Sequence, residues 1–301
     1  MISSIEIFGR SIPTYSLCAV LGGVFLALYF FLQTGSPRKG FVKVECQDML
    51  FMLVYAGVAA FIGAKLMFIV TSVDFTWYDD KTLSDNLMIW LILIITGGIV
   101  FYGGLMGAVL GAFIYAKKFS VPYSEIFDLG LTGVPLFHAF GRIGCFLAGC
   151  CYGMEYHGAF AVVYPEGNMG GAPSGVELLP IQLIEAAANL AIWVFLAAVY
   201  RKTKRRWFSS GLYLVSYGVV RFILEFFRGD MIRGHLFMLS SSQIVSIFAV
   251  GAGILLIVKP NWLERFGSRN DEKYILCIEE QKKRVSEYKA YKAAKKAGRR
   301  A

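Results

Sequence analysis

Long apolar stretches separated by short polar connectors make up most of the chain. Runs able to cross about 30 Å of hydrocarbon, which takes roughly 20 helical residues, read at residues 14–33, 48–71, 87–116, 125–147, 181–200, 211–228 and 238–258. The pattern predicts an all-α fold: a polytopic membrane helix bundle of about seven transmembrane helices. The fourth run is the weakest, because Asp128, His138 and Arg142 interrupt it, and a half-buried or broken helix is one reading of it. Irregular backbone facing lipid is not, since its polar groups would have no partner there.

Composition narrows this picture. Of 301 residues, 56% are hydrophobic and 15% aromatic, and the mean hydropathy of +0.57 is too apolar for a domain that must show water a polar face. The apolar stretches continue to about Lys259 without a long linker, so one membrane-embedded domain is expected over residues 1–258, followed by a tail over 259–301. The N-terminus lacks a strongly basic region, so the first run reads as a retained span rather than a cleaved signal peptide.

Charge then orients the spans. Arg38, Lys39 and Lys43 follow the first, Lys117 and Lys118 the third, and Arg201, Lys202, Lys204, Arg205 and Arg206 the fifth. Such loops belong on the cytoplasmic side. Residues 72–86 behave oppositely, with Asp74, Asp79, Asp80 and Asp85 against Lys81. The expected topology is therefore N-terminus outside and C-terminus cytoplasmic. Residues 154–178, rich in Gly and Pro and carrying Tyr156, His157 and Tyr164, become a small extracytoplasmic cap. Of the formal net charge of +9, the tail alone contributes +7, from 13 Lys/Arg against 6 Asp/Glu. So local a basicity reads as an anchor on anionic membrane lipids. No nucleic acid partner is expected.

The chemistry lies in polar residues inside the apolar runs. A charge at the centre of a membrane helix costs roughly 2.5–3.5 kcal/mol on insertion scales, so it persists where it meets a partner, a cavity or a substrate. Tyr217, Arg221 and Glu225 recur at i, i+4 and i+8 on one helical face, with Arg228 a turn beyond. An Arg221–Glu225 pair that merely locks helices together is the structural alternative. Arg142 sits in Gly141-Arg142-Ile143-Gly144-Cys145-Phe146, followed by Gly149 and Gly153, where small residues permit close approach. Two arginines from different helices suit a phosphate headgroup, because a guanidinium keeps its charge and offers a planar fork of donors. Otherwise each caps a carbonyl or pairs with Asp128 or Glu185. Gly97-Gly98 and Gly103-Gly104 flank Tyr102, and read either as a helix-packing surface or as a bend at membrane depth.

Six cysteines at scattered spacing suggest no disulfide scaffold. Cys145, Cys150 and Cys151, near His138 and His157 in sequence, have ligand chemistry but not a recognised zinc spacing. Packing of small residues is the favoured reading of them, and no metal or other cofactor is expected.

Together these residues resemble the prolipoprotein diacylglyceryl transferase family over about residues 10–258. The resemblance is carried by Ile12-Pro13-Thr14-Tyr15, Gly63-Ala64-Lys65, the Gly-Gly-x-x-x-Tyr-Gly-Gly-Leu-x-Gly run at 97–107, and Gly141-Arg142-Ile143-Gly144. It continues through Pro180-x-Gln182-Leu183-x-Glu185, Tyr217-Gly218-x-x-Arg221-Phe222-x-x-Glu225-Phe226-x-Arg228 and Ser242-Gln243-Ile244. Order and spacing agree together. The resemblance implies transfer of the diacylglyceryl group of phosphatidylglycerol to the lipobox cysteine of prolipoprotein signal peptides.

It further implies catalytic roles at Arg142, Arg221, Tyr102 and Glu225, and substrate contacts at Tyr15, Gly103, Gly104, Gly144, Gly153, Gln182, Glu185, Tyr217 and Gln243. Four positions depart from the commonest family pattern. Tyr102 stands where many members have His, Cys145 where Asn is usual, Cys150 near a usual acidic position, and Leu179 where His commonly precedes the proline. With Tyr102 a poor base at neutral pH, either no base is needed or His138 or Glu225 takes that part. The alternative is a catalytically altered relative that binds phospholipid, a metal or a membrane partner.

Overall fold

The computed structural model describes residues 4–7, 10–35, 43–72, 98, 100–168, 170–229, 235–236 and 239–260, with 272–277, 279–280, 283 and 286–287 of the tail. It divides into two compact units, one of Met1–Lys43 with Phe127–Arg265 and one of Val44–Ile126 with Phe266–Ala301. The described helices are α1 (Thr14–Thr34), α2 (Cys46–Ser72), α3 (Phe101–Lys118), α4 (Tyr123–Ala148), α5 (Ile181–Lys202), α6 (Phe208–Glu225) and α7 (Ser241–Val258). Of these, α1, α2, α4, α5 and α7 are long and apolar enough to cross a membrane. The two others carry charge in 18 residues each: Lys117 and Lys118 in α3, Arg221 and Glu225 in α6. Large apolar side chains such as Val20, Phe31, Phe51, Val70, Val194 and Phe248 remain exposed on the helix surfaces, which suits lipid as solvent.

In the first unit the chain enters as an antiparallel hairpin, β1 (Ser4–Ile7) paired with β2 (Arg10–Pro13). Pro13 then stands at the N-cap of α1, where its missing N–H is no loss. α1 runs beside α4: Phe25 and Phe140 stack at 5.1 Å between ring centroids, and Tyr29 Oη and Thr132 Oγ1 share a 2.8 Å hydrogen bond. Gly22 lies under Phe140 and Gly133 under Leu26 and Phe30, so a side chain at either would collide with these neighbours. An interhelical hydrogen bond in lipid contributes only about 0.6 kcal/mol on average, which leaves close packing as the larger attraction.

The fourth apolar run is not broken. α4 continues from Tyr123 to Ala148 through Asp128, Pro135, His138 and Arg142. It stays whole because its polar groups find partners within the protein. Asp128 is fully buried and accepts from the backbone N–H and the hydroxyl of Ser210 at 2.9 and 2.7 Å. The sixth run is shifted: α6 spans Phe208–Glu225, so Arg228 lies beyond the helix and pairs its backbone with Gly153 instead of continuing the helical face. α6 and α7 touch through Gly211 and Gly253, each under the other's carbonyl oxygen, and through Gly218 beneath the Ser246 carbonyl.

Between α4 and α5, β3 (Val162–Val163) pairs antiparallel with β4 (Glu177–Leu178). Buried Tyr164, Ala172 and Leu178 form a small core under this segment. Asn168 fastens the loop by donating to the Ala172 carbonyl and accepting from its N–H. A second short pair, β5 (His235–Leu236) with β6 (Leu239–Ser240), leads into α7.

The second unit corrects the third expected span. Residues 87–97 lie outside the described residues, but Gly98 and Val100 are not helical, and the helix starts only at Phe101 and ends at Lys118. Val100 is extended (φ −97°, ψ 118°), and its N–H donates to the Ala64 carbonyl of α2 at 3.3 Å rather than to a helical turn. α2 and α3 then meet backbone to backbone. The carbonyls of Gly63, Ala59 and Tyr55 occupy the space where side chains on Gly103, Gly107 and Gly111 would stand. In the tail, Tyr274 is buried and donates to Asp48 at 2.7 Å, while Tyr115 donates to the other carboxylate oxygen at 2.9 Å.

Candidate active site

α4, α5, α6 and the start of α7 carry a dense polar cluster in the first unit. Arg142, one turn after His138 on α4, donates from Nε to His138 Nε2 at 3.1 Å. A nitrogen that accepts cannot also hold the proton, so the neutral ring carries it on Nδ1. The Nη2 of Arg142 lies 3.1 Å from Glu185 Oε1 of α5. The same carboxylate oxygen is 3.7 Å from His138 Nε2. Glu185 is almost wholly buried and its partner is the arginine, whereas Asp128 is occupied by Ser210.

Tyr217 of α6 brings the phenol to this group. Its ring lies 5.3 Å from that of His138 and 5.8 Å from Tyr213, stacked within 11°, and it hydrogen-bonds Arg142. The guanidinium groups of Arg142 and Arg221 both act electrostatically on His138 and on Tyr217. The two arginines therefore face one locality from separate helices.

One helical turn separates Arg221 from Glu225, and Nη2 sits 2.6 Å from Oε2. Nη2 also donates to Ser242 Oγ at 3.1 Å, and Ser240 Oγ donates to Glu225 Oε1 at 2.8 Å. Ser240 doubles as the N-cap of α7 in a capping box with Gln243, which satisfies two helix-terminal donors reciprocally. Gln243 thus has its carbonyl committed to the Ser240 N–H at 3.0 Å. The second terminal nitrogen of Arg221, Nη1, is buried and has no hydrogen-bond partner among the described residues. A buried guanidinium N–H left unmatched is costly, and an anion answers it.

The remaining expected site residues fall into three places. Gln182 ties α5 to the 154–178 segment by donating to the Cys150 carbonyl at 2.8 Å and to Tyr164 Oη at 3.1 Å. Burial pushes the Tyr164 phenol up to about 12. Gly144 lies against Tyr15 and Cys18 of α1, and Gly153 against the Leu179 backbone. Tyr102, Gly103 and Gly104 belong to the second unit: Gly103 is a glycine of the α2–α3 contact, Gly104 lies in ordinary contact with Ala64, and the Tyr102 ring packs edge-on to Phe101 at 5.7 Å. Ser240 was not among the residues singled out from the sequence, although Ser240 followed three positions later by Gln243 is the pattern of a capping box.

Charged groups buried on apolar helices, paired within and across them and leaving a donor unmatched, define an integral membrane protein with a charge-dense internal centre. The sequence model of the family described as prolipoprotein diacylglyceryl transferase matches residues 3–259, and the chain belongs to that family. Among its relatives is a Clostridium perfringens protein named phosphatidylglycerol–prolipoprotein diacylglyceryl transferase 2, 33% identical over 83% of this chain and 92% of the relative. A Clostridium tetani protein named phosphatidylglycerol–prolipoprotein diacylglyceryl transferase is 34% identical over 83% and 94%. One of the same name from Streptococcus pneumoniae is 28% identical over 86% and 93%.

Proposed function

We propose that this chain transfers the diacylglyceryl group of phosphatidylglycerol to the thiol of the lipobox cysteine of prolipoproteins, with Arg142 and Arg221 holding the lipid phosphate. The observation that carries the assignment of the phosphate to the arginines is the buried, unmatched Nη1 of Arg221, on a guanidinium that acts with Arg142 on the same Tyr217 and His138. In the reaction the cysteine sulfur attacks the terminal glyceryl carbon, the carbon–oxygen bond to phosphate breaks, and glycerol phosphate leaves with the electron pair. The thiol proton is released. Positive charge held at the phosphate stabilises the oxygen on which negative charge grows.

The other residues support this geometry. Glu185 and Glu225 hold one face of each guanidinium, and the opposed edges serve the substrate. His138 is the base this reading favours over Tyr102. Releasing Arg142 to the phosphate frees His138 Nε2 for the thiol proton. Tyr15 and Tyr217 orient the headgroup, Gly144 and Gly153 permit its approach, and Gln182 and Gln243 brace the helices.

The protein is multi-pass. In the proposed arrangement residues 1–258 form the membrane-embedded domain, residues 154–178 cap it on the outer face, and residues 259–301 lie in the cytoplasm against anionic lipid. A C-terminal fluorescent fusion that glows, paired with an inactive C-terminal periplasmic phosphatase fusion, is the expected result; the reverse would overturn the orientation.

The activity is tested by complementing a bacterium depleted of its own transferase and weighing a lipobox peptide incubated with the purified protein and phosphatidylglycerol. The expected product is the diacylglyceryl thioether. Absence of that mass under conditions where an established transferase forms it would overturn the assignment. Retained phospholipid binding without product would favour the catalytically altered relative.

A further inference from the structure

α4 ends at Ala148, and the chain folds back over its last turn. Gly149 and Cys151 are both left-handed, at φ 80° and 56°, and the N–H groups of Gly149 and Cys150 both return to the Cys145 carbonyl, at 3.0 and 3.1 Å. This satisfies a carbonyl that the helix end leaves without a partner. It also carries two thiols back to a third. The sulfurs of Cys145, Cys150 and Cys151 lie within 4.8 Å of one another, and all three cysteines are free.

The surroundings are positive. Arg228 hydrogen-bonds Cys151, and Arg142 acts on Cys150 while Cys145 and Cys151 act on Arg142. A cluster of neutral thiols kept merely for packing needs no such neighbours. With a metal–sulfur bond of about 2.3 Å, a cation at the centre of three thiolates sets the sulfurs about 4 Å apart, which small side-chain rotations reach from the observed separation.

We propose that Cys145, Cys150 and Cys151 form a three-thiolate site for a soft d10 cation, Zn(II) with an exogenous fourth ligand or Cu(I) without one. Soft thiolate ligands select these ions. Binding of Zn(II) releases three protons and leaves a complex of charge −1; Cu(I) leaves −2. Arg142 and Arg228 offset that charge. The proposal is independent of the transferase reading, since its readouts are metal content and absorbance.

The test uses the full chain, purified in detergent with a thiol-free reductant and titrated with Cd(II), whose thiolate complexes absorb in the ultraviolet. One Cd(II) per chain, displaced by Zn(II) or Cu(I), is expected; which of the two is recovered by elemental analysis of protein isolated without added metal distinguishes the arms. The Cys150→Ser and Cys151→Ser variants, checked for monodispersity, are each expected to bind at least tenfold more weakly. Cys46→Ser and Cys277→Ser are expected to bind as the parent does. No charge-transfer band, or a band retained at parent affinity in a monodisperse Cys150→Ser or Cys151→Ser variant, would overturn the site. So would a disulfide consuming two of the three thiols in protein isolated without reductant that persists after metal is supplied.

Discussion

Two contacts in this molecule meet the same solvent by opposite means. Between α2 and α3 side chains are removed: Gly103, Gly107 and Gly111 stand against the carbonyls of Gly63, Ala59 and Tyr55. Among α4, α5, α6 and α7 costly side chains are added, with Arg142 on Glu185 across two helices and Arg221 on Glu225 within one. Lipid drives neither by the hydrophobic effect, since the tails are as apolar as the helices. The first contact gains dispersion from backbone proximity. The second pairs buried charges with one another, and leaves Nη1 of Arg221 without a hydrogen-bond partner among the described residues. A surface built from glycines closes on itself, whereas one built from paired charges with a remainder invites a ligand.

The comparison breaks most sharply at the arginines. Arg142→Ala or Arg221→Ala is expected to lower the rate of lipobox-peptide modification by at least about 10²–10³-fold, the usual loss on deleting an oxyanion-stabilising donor. Lysine should not rescue either, because it lacks the planar fork. Near-parent rates in either variant, measured by product mass over time, would contradict their placement at the phosphate.

Glycine substitutions come next. Gly103→Ala would push into the Gly63 backbone and the Met67 side chain, whereas a methyl group on adjacent Gly104 meets Ala64 Cβ at 3.5 Å. Overpacking of this kind costs about 1–3 kcal/mol, so Gly103→Ala is expected to lower the unfolding midpoint in detergent while Gly104→Ala stays within about 0.5 kcal/mol of the parent. Equal midpoints would show that the α2–α3 contact is looser than described.

Ser240→Ala removes an N-cap and the hydroxyl on Glu225 together. A lost cap costs about 0.5–2 kcal/mol. A modest stability loss with a roughly tenfold fall in activity, equivalent to about 1.4 kcal/mol, is expected; activity at the parent level would separate the cap from the site.

The smallest effect concerns Tyr164. Its pKa is raised on folding from 10.0 to about 12, so between these values the folded state holds the proton more tightly than the unfolded one. Stability therefore falls as pH rises from about 10. Tyr164→Phe should remove that part of the alkaline decline and leave stability near neutrality changed only by the lost hydrogen bond with Gln182, about 1 kcal/mol. An unchanged alkaline slope would contradict the buried, protonated phenol.

Much of the frame was legible in the chain. The first expected span, 14–33, coincides with Thr14–Thr34, and the fifth, 181–200, with Ile181–Lys202. Each is a long, mostly apolar run whose start a proline marks. The third went astray at Gly98 and Val100 because hydropathy does not sense backbone conformation: both residues are apolar or neutral, yet Val100 gives its N–H to Ala64. The fourth was underrated for a related reason. Asp128 and Arg142 weaken the apolar signal, but their partners, Ser210 and Glu185, lie 82 and 43 positions away.

The chain alone made the solvent, the helical class and the family legible, because these follow from composition, run length and ordered motifs. It also marked Arg142 and Arg221 as residues whose burial needs a reason. The folded structure alone settles that Arg142 holds Glu185, that His138 accepts from Arg142, that Ser240 caps α7 while holding Glu225, and that the three neighbouring thiols converge at the end of α4. The physical reason is range. Hydropathy and helical periodicity act over a turn or a span, whereas ion pairs and hydrogen bonds between helices depend on which backbones approach closely, and in lipid that is settled by the packing of small residues rather than by any local preference.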